Sequence, residues 1–250
     1  MARYDFRAPR LFVEAPLSAG ARVPLDRAQA NYLVNVLRRK PADPVLVFNG
    51  RDGEWRAALA AEGKKNAALA VREQTRPQPA PGRLHYLFAP LKQARLDYMV
   101  QKAVEMGASR LQPVLTRHGQ VERINLDRMR ANAIEAAEQC GILSLPEIGA
   151  PIALTTLLAD FDPARLLVFC DEDAEVKDPV AALAAARTGE EAPAVAVLIG
   201  PEGGFSGDER SMLMKLPRLV RLSLGPRILR ADTAAVAALA LVGAVLGDGR

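Results

Sequence analysis

From Arg83 onward the chain repeats one pattern, a short run of consecutive apolar residues followed by a longer stretch with helical periodicity. The runs fall near residues 84–89, 111–115, 165–170, 194–199 and 219–224. The helical stretches cover Gln93–Met106, Leu126–Cys140, Pro179–Arg187, Gly207–Lys215 and Thr233–Leu246. A strand with no polar alternation is buried on both faces, and strands separated by helices cross over in one direction. The pattern therefore predicts an α/β domain over residues 83–250, a mostly parallel sheet with helices on both faces.

The first 75 residues read differently. Arg10–Glu14, Pro44–Phe48, Glu54–Ala60 and Ala67–Glu73 are short strand-like pieces, punctuated by turns at Asn49-Gly50 and Asp52-Gly53 and interrupted by one helical stretch, Arg27–Arg38. Many short strands with one helix suggest a small β-barrel. Residues 76–82, Arg76-Pro77-Gln78-Pro79-Ala80-Pro81-Gly82, hold three alternating prolines and read as a short stiff linker between two domains. The basic excess lies before it. Residues 1–75 carry 13 Lys and Arg against 8 Asp and Glu, whereas the remainder carries 20 against 21. Such a balance agrees with a polyanionic partner.

Two turns stand out because each follows a buried strand and opens a helix, the place where α/β proteins present ligand-binding backbone. The first is Gly200-Pro201-Glu202-Gly203-Gly204 after Val195–Ile199, with Ser206 and Glu209 spaced as a capping box. The second runs from Leu222 through Leu224, Gly225 and Pro226 to Arg227, Ile228, Leu229 and Arg230. Its leucines and isoleucine can make an apolar slot and its arginines a fixed positive charge. Asp232 or Thr233 is placed to cap the alanine-rich terminal helix. About twenty residues apart, the two turns suggest one composite pocket, although an ordinary strand-to-helix turn explains each alone.

Other chemistry is sparse. Cys140 and Cys170 lack the spacing and histidine partners of a zinc site and read as buried free thiols, so no metal is expected. His85 and His118 are the only histidines. Lys92, Arg95 and Lys102 fall on the charged face of a helix and read as solvated. Arginine clusters at Arg38, Arg39 and Lys40, and at Arg117 and Arg123, suit phosphate contacts and make RNA a reasonable partner. The longest apolar stretch, Ala234–Leu246, is too short to span a bilayer, and the first residues lack the apolar run of a signal peptide. A cytoplasmic protein with no membrane partner is expected.

Taken together these residues resemble the RsmE family of SPOUT-class methyltransferases, which methylate N3 of a uridine in 16S ribosomal RNA of the small subunit using S-adenosylmethionine. The matching pieces are the Gly200–Ser206 loop with Glu209 and the stretch from Leu224 to Arg230 running to Thr233-Ala234. Lys92 with Arg95, Gln101-Lys102-Ala103, Glu105 and Gly107, Glu135–Cys140, Asn31–Leu33, Val36–Arg38 and Gly53-Glu54-Trp55 add support. Where the family more often reads Thr-Glu-Thr-Ala after the arginine, this chain has Ala231-Asp232-Thr233-Ala234.

The resemblance implies a PUA-like barrel, a C-terminal domain with a deep trefoil knot, and a homodimer. It implies that S-adenosylmethionine lies among three loops contributing Asp171 and Glu172, then Ile199, Gly200, Pro201, Gly203 and Gly204, then Leu222, Leu224, Gly225, Ile228 and Leu229. Arg230 is then the electrostatic catalyst and Glu202 the proton acceptor. Gly200→Val and Gly225→Val are expected to block the cofactor without unfolding the protein. A ribose 2′-hydroxyl acceptor, a non-catalytic ribosome-assembly protein and a Rossmann-type enzyme are the alternatives. A Gly-x-Gly-x-x-Gly turn, which the last requires, is missing after the first strand of the domain.

Overall fold

The computed structural model describes residues 7–60, 67–121, 123–175, 178–187, 189 and 192–247. The chain divides into two compact units, residues 1–81 with 137–145, and 82–136 with 146–250.

In the first unit, β1 (Arg10–Phe12), β2 (Arg22–Pro24), β3 (Pro44–Phe48), β4 (Glu54–Ala60) and β5 (Ala68–Arg76) form one sheet in the order β1-β3-β4-β5-β2. It is antiparallel except where β1 runs beside β3. Leu11, Val23, Val45, Val47, Ala57, Leu69 and Val71 send side chains from all five strands into one cluster with Leu33, the convergence a barrel-like sheet requires. β5 takes in Arg76, the first residue of the expected linker. The Arg76 guanidinium donates to Glu54 at 3.0 and 2.6 Å, and Glu54 is itself buried beside Arg10. Those cations and Thr75 hold the Glu54 carboxyl below its usual range against the opposing pull of burial.

The helical stretch is shorter than expected. α1 (Arg27–Asn31) starts on an Asp26–Gln29 capping box, then widens over Tyr32–Val36, where the Leu37 N–H bonds to the Tyr32 carbonyl five residues back. Beyond it, Arg38 and Ala42 have φ of 52° and 73°, the left-handed region.

In the second unit β6 (Leu84–Phe88), β7 (Arg110–Leu115), β8 (Glu147–Ile148), β10 (Leu166–Cys170), β11 (Val195–Ile199) and β12 (Leu219–Leu222) form a sheet in the order β12-β10-β11-β6-β7-β8, with β9 (Ile152–Ala153) beside the end of β7. Every pairing is parallel. Alternate residues of the central strands, Leu87, Leu167, Phe169, Ala196 and Leu198, pack on one face with Leu154 of α4 (Leu154–Ala159) and Leu213 of α6 (Gly207–Leu213). α2 (Gln93–Glu105), α5 (Pro179–Ala185) and α7 (Ala231–Val245) pack together, with α7 against β11. α3 (Leu126–Cys140) follows β7. Among the described residues, no helix is long and apolar enough to cross a membrane.

Three local expectations are corrected. Cys140 is exposed at the end of α3, whereas Cys170 keeps its thiol buried although the residue as a whole is half-covered. α7 begins at Ala231, so Arg230 holds the cap position and Asp232 lies inside the first turn, where its side chain accepts the Thr233 N–H rather than capping. Arg95 and Lys102 are not simply solvated: Arg95 pairs with Glu202, and Lys102 pairs with Glu105 at 2.7 Å and sits over the Tyr98 ring.

Candidate functional site

β12, β10 and β11 are neighbours in the sheet, so the three segments leaving their carboxyl ends converge. Between them lies a cavity of about 350 Å³. Asp171 and Glu172 reach it from β10, and Ile199, Gly200, Pro201, Glu202, Gly203 and Gly204 from β11. Leu222, Leu224, Gly225, Ile228 and Leu229 reach it from β12. Pro226 and Arg227 of the second predicted turn also line it, and Cys170, Ser223, Ala231 and Ala234 complete the lining. Arg230 is exposed and stands just outside it, between Leu229 and Ala231.

The first two loops are held by different devices. The first is electrostatic. The side chain of Asp171 is fully buried, and its Oδ2 accepts from Arg221 of β12 at 2.7 Å while Oδ1 lies 3.1 Å from Arg210 of α6. Arg210 also reaches Glu172 at 2.9 Å and Asp173 at 2.8 Å. One guanidinium thus gathers three consecutive carboxylates, and a second pins the buried one to the neighbouring strand. Asp171 borders the cavity with both oxygens already engaged, so Glu172 and the backbone are what this loop offers a ligand. Next to it, burial first and the Asp171 charge second push the Cys170 thiol up to about 12, which keeps it a neutral wall and not a nucleophile.

The second loop is held by packing and hydrogen bonds. Phe205 is buried edge-on against Phe169, with ring centres 5.0 Å apart, and a Cβ on Gly200 would stand 2.5 Å from that ring. Gly204, at φ 65°, closes the turn by donating to Pro201 O at 3.0 Å. The predicted capping box forms: the Glu209 N–H donates to Ser206 Oγ, and the Ser206 N–H to Glu209 Oε2 at 2.8 Å. The other oxygen of Glu209 accepts the Arg117 N–H at 2.8 Å, and His118 Nδ1 lies 3.0 Å from Gly203 O, a bond that places a proton on Nδ1. The segment after β7 is thereby tied to the glycine-rich loop at two points.

The third loop is the most open. Gly225 has φ 105°, and nothing lies within 4 Å of where its Cβ would be. Ile228 is 93% exposed, an uncovered apolar side chain at the cavity mouth.

The basic candidates divide between the units. Arg38 and Lys40 are exposed; Arg39 is half-buried, with Nη2 3.3 Å from Arg7 O and Nε shielded with no partner. Arg117 and Arg123, in the second unit, are exposed.

Known proteins match this chain over nearly its full length. The model of an RNA methyltransferase domain matches residues 78–243, and that of an RNA methyltransferase PUA domain matches residues 25–71. Ribosomal RNA small subunit methyltransferase E of Synechocystis is 34% identical over 245 residues, 96% of this chain and 78% of that protein. Among solved structures, a methyltransferase of Legionella pneumophila in complex with its bound cofactor SAM is 28% identical with a TM-score of 0.81, covering 95% of this chain and 98% of that one. Ribosomal RNA small subunit methyltransferase E of Neisseria gonorrhoeae, bound to S-adenosyl methionine, is 25% identical with a TM-score of 0.82, covering 98% and 100%. With an RNA methyltransferase domain model matching residues 78–243, a PUA domain model matching residues 25–71 and a relative 34% identical over almost the whole chain, the protein belongs to the RNA methyltransferase family that includes the ribosomal RNA small subunit methyltransferase E proteins.

Proposed function

We propose that this protein transfers a methyl group from S-adenosylmethionine to N3 of a uridine in small-subunit 16S ribosomal RNA, with the donor held in the cavity at the ends of β10, β11 and β12. The observation that carries the reading is the convergence of three strand-end loops on one cavity. Its volume lies at the lower end of the 300–1,000 Å³ or so of small-molecule sites. The lining fits such a donor. Gly200, Gly203, Gly204 and Gly225 open backbone N–H and C=O groups to the ligand, Leu222, Leu224, Ile228 and Leu229 supply apolar walls for an adenine, and Glu172 and Glu202 set negative charge at the rim. The solved relatives with S-adenosylmethionine bound support the same assignment.

When bound, the cofactor supplies an electrophilic methyl on a sulfonium that leaves as a neutral thioether. What the chain must do is align that methyl with the acceptor and exclude water. Uracil N3 becomes nucleophilic on losing its proton. Glu202, oriented by its ion pair with Arg95, receives that proton as the N3–methyl bond forms, and Arg230 stabilises the charge developing on the ring. Residues 1–75 act as the PUA-like RNA-binding module, with Arg38, Arg39 and Lys40, joined by Arg117 and Arg123, on phosphates. The knotted path, the homodimer and the cytoplasmic location complete the proposal.

Nucleosides from ribosomal RNA incubated with the protein and labelled S-adenosylmethionine, read by mass spectrometry, test it. N3-methyluridine is expected. A ribose-methylated product replaces the base acceptor with a 2′-hydroxyl, and cofactor binding with no product makes the protein a non-catalytic RNA binder.

A further inference from the structure

The charged residues lining the cavity are Asp171, Glu172, Glu202 and Arg227. The acids are already paired with arginines that do not line it: Asp171 with Arg221 and Arg210, Glu172 with Arg210, and Glu202 with Arg95. Arg227 is exposed and, among the described residues, its guanidinium has no partner. We propose that Arg227 binds the carboxylate of the methionine part of S-adenosylmethionine, so that this side chain selects the donor by its amino-acid end. The assignment rests on the placement of the donor in this cavity proposed above.

Three observations support it. First, S-adenosylmethionine carries a sulfonium, an ammonium and one carboxylate, and a carboxylate drawn out of water needs a hydrogen-bonded cation. Among the described residues, Arg227 is the one cation that lines the cavity. Second, Arg227 does not serve to balance the acids of the wall. Glu172 and Glu202 border the same space, yet each pairs with an arginine outside it, which leaves the planar fork of Arg227 for a bidentate anion. Third, Glu172 and Arg227 come from neighbouring strands. Cys170 of β10 lies opposite Leu222 of β12, and the Asp171 N–H donates to Leu222 O at 2.9 Å. A carboxylate and a guanidinium that border one cavity from adjacent loops, without pairing to each other, suit a zwitterion whose ammonium and carboxylate share one carbon. Glu172 then accepts from the ammonium.

The kinetic consequence is specific. The carboxylate is separated from the transferring methyl by several bonds and keeps its charge in the donor, the transition state and the demethylated product. Arg227 therefore stabilises ground state and transition state equally, which lowers KM for the donor without raising kcat. Through the same contact it holds the product S-adenosylhomocysteine, whereas a donor analogue lacking the carboxylate forfeits it. Lysine at this position keeps the charge but not the fork.

The test uses the full chain with Arg227→Ala and Arg227→Lys, measuring by calorimetry the affinities for S-adenosylmethionine, S-adenosylhomocysteine and decarboxylated S-adenosylmethionine. Wild type is expected to bind the decarboxylated analogue at least about tenfold more weakly than S-adenosylmethionine, as one lost charge-assisted hydrogen bond implies. Arg227→Ala is expected to lose at least about tenfold for S-adenosylmethionine and S-adenosylhomocysteine but less than about twofold for the analogue, which erases the discrimination. Arg227→Lys should fall between. In methyl transfer to small-subunit ribosomal RNA, the loss in Arg227→Ala is expected in KM for the donor and not in kcat. Wild type that binds donor and analogue alike would overturn the assignment, and so would an equal loss for both in Arg227→Ala, the mark of a misshapen loop. Unchanged S-adenosylmethionine affinity in that variant would overturn it as well, and a lower salt slope of RNA binding would then make Arg227 a phosphate contact. Each of these results leaves the methyltransferase reading intact. A wild-type protein that binds no S-adenosylmethionine would overturn the function proposed above, and the Arg227 assignment with it.

Discussion

Glu209 Oε1 accepts the backbone N–H of Arg117 at 2.8 Å across 92 residues of chain, while Oε2 accepts the N–H of Ser206 three residues away. One carboxylate, 7% exposed, thus starts α6 and fastens the segment after β7 to the glycine-rich loop.

Removing it should therefore do more than remove a helix cap. Glu209→Ala leaves two sheltered N–H groups without acceptors and is expected to cost about 2–3 kcal/mol. It is also expected to weaken S-adenosylmethionine binding several-fold, because the loop that lines the cavity loses its brace. Glu209→Gln keeps one acceptor oxygen and should fall between. Urea unfolding and calorimetry read both effects, and an alanine variant within 0.5 kcal/mol of wild type would refute the double role.

Gly200 and Gly225 both line the cavity but should fail differently when substituted. A side chain at Gly200 meets the Phe205 ring, which is wedged against Phe169, so Gly200→Val is expected to destabilise the fold by about 1–3 kcal/mol before any effect on ligand. Gly225 stands in open space and only its φ of 105° resists a side chain. Gly225→Val should leave the urea midpoint nearly unchanged while re-routing the third loop and lowering cofactor affinity at least tenfold. Equal loss of stability in the two variants would contradict the distinction.

These cases mark how far the sequence could be read. The five long strands of the α/β domain are legible because each is a run of apolar residues buried on both faces, and the loops because glycine and proline follow such a run directly. β2, β8, β9 and α4 are not legible: two to six residues are too few to display a period. The stretch from Arg27 reads as one helix because its composition is helical; the widened turn after Asn31 leaves Val34 and Val36 45% and 61% exposed, which apolar periodicity does not anticipate. The braces of the site are invisible for another reason. Arg210 meets Glu172, Arg221 meets Asp171 and Arg95 meets Glu202 over separations of 38, 50 and 107 residues, and only the parallel crossovers bring them together. Only Glu209 had a local signature, the capping box, and that disclosed half of what it does.

Acid should weaken the second unit through His85. Burial, aided by the charges of Arg165 and Arg110, pushes this half-buried imidazole down to about 4 from the ordinary value near 6.5. Between those values the unfolded chain binds a proton that the native one refuses, so stability is fully present above about pH 6.5 and falls as the pH drops towards 4. Asp52, Glu54 and Asp97, whose carboxyls are held below their usual range, add to the loss at lower pH still. Urea midpoints at pH 7.0, 5.5 and 4.5 should fall less steeply in His85→Gln than in wild type. Identical slopes would remove His85 as the cause.

Arg38 and Ala42 provide a paired test of the basic segment in the first unit, because both hold the left-handed backbone that a side chain resists. Replacing either by glycine relieves strain and adds freedom to the unfolded chain, so a net gain of up to about 1 kcal/mol is expected for both. Their consequences for RNA should diverge. Ala42 has no charge to lose, and Ala42→Gly should bind ribosomal RNA as wild type does. Arg38→Gly should be as stable as Ala42→Gly yet bind more weakly, with a salt slope lower by about 0.7. A strained arginine that contributes nothing to folding but is needed for RNA is what a phosphate contact would look like. An Arg38→Gly variant with the wild-type salt slope would instead show that the cation faces solvent alone.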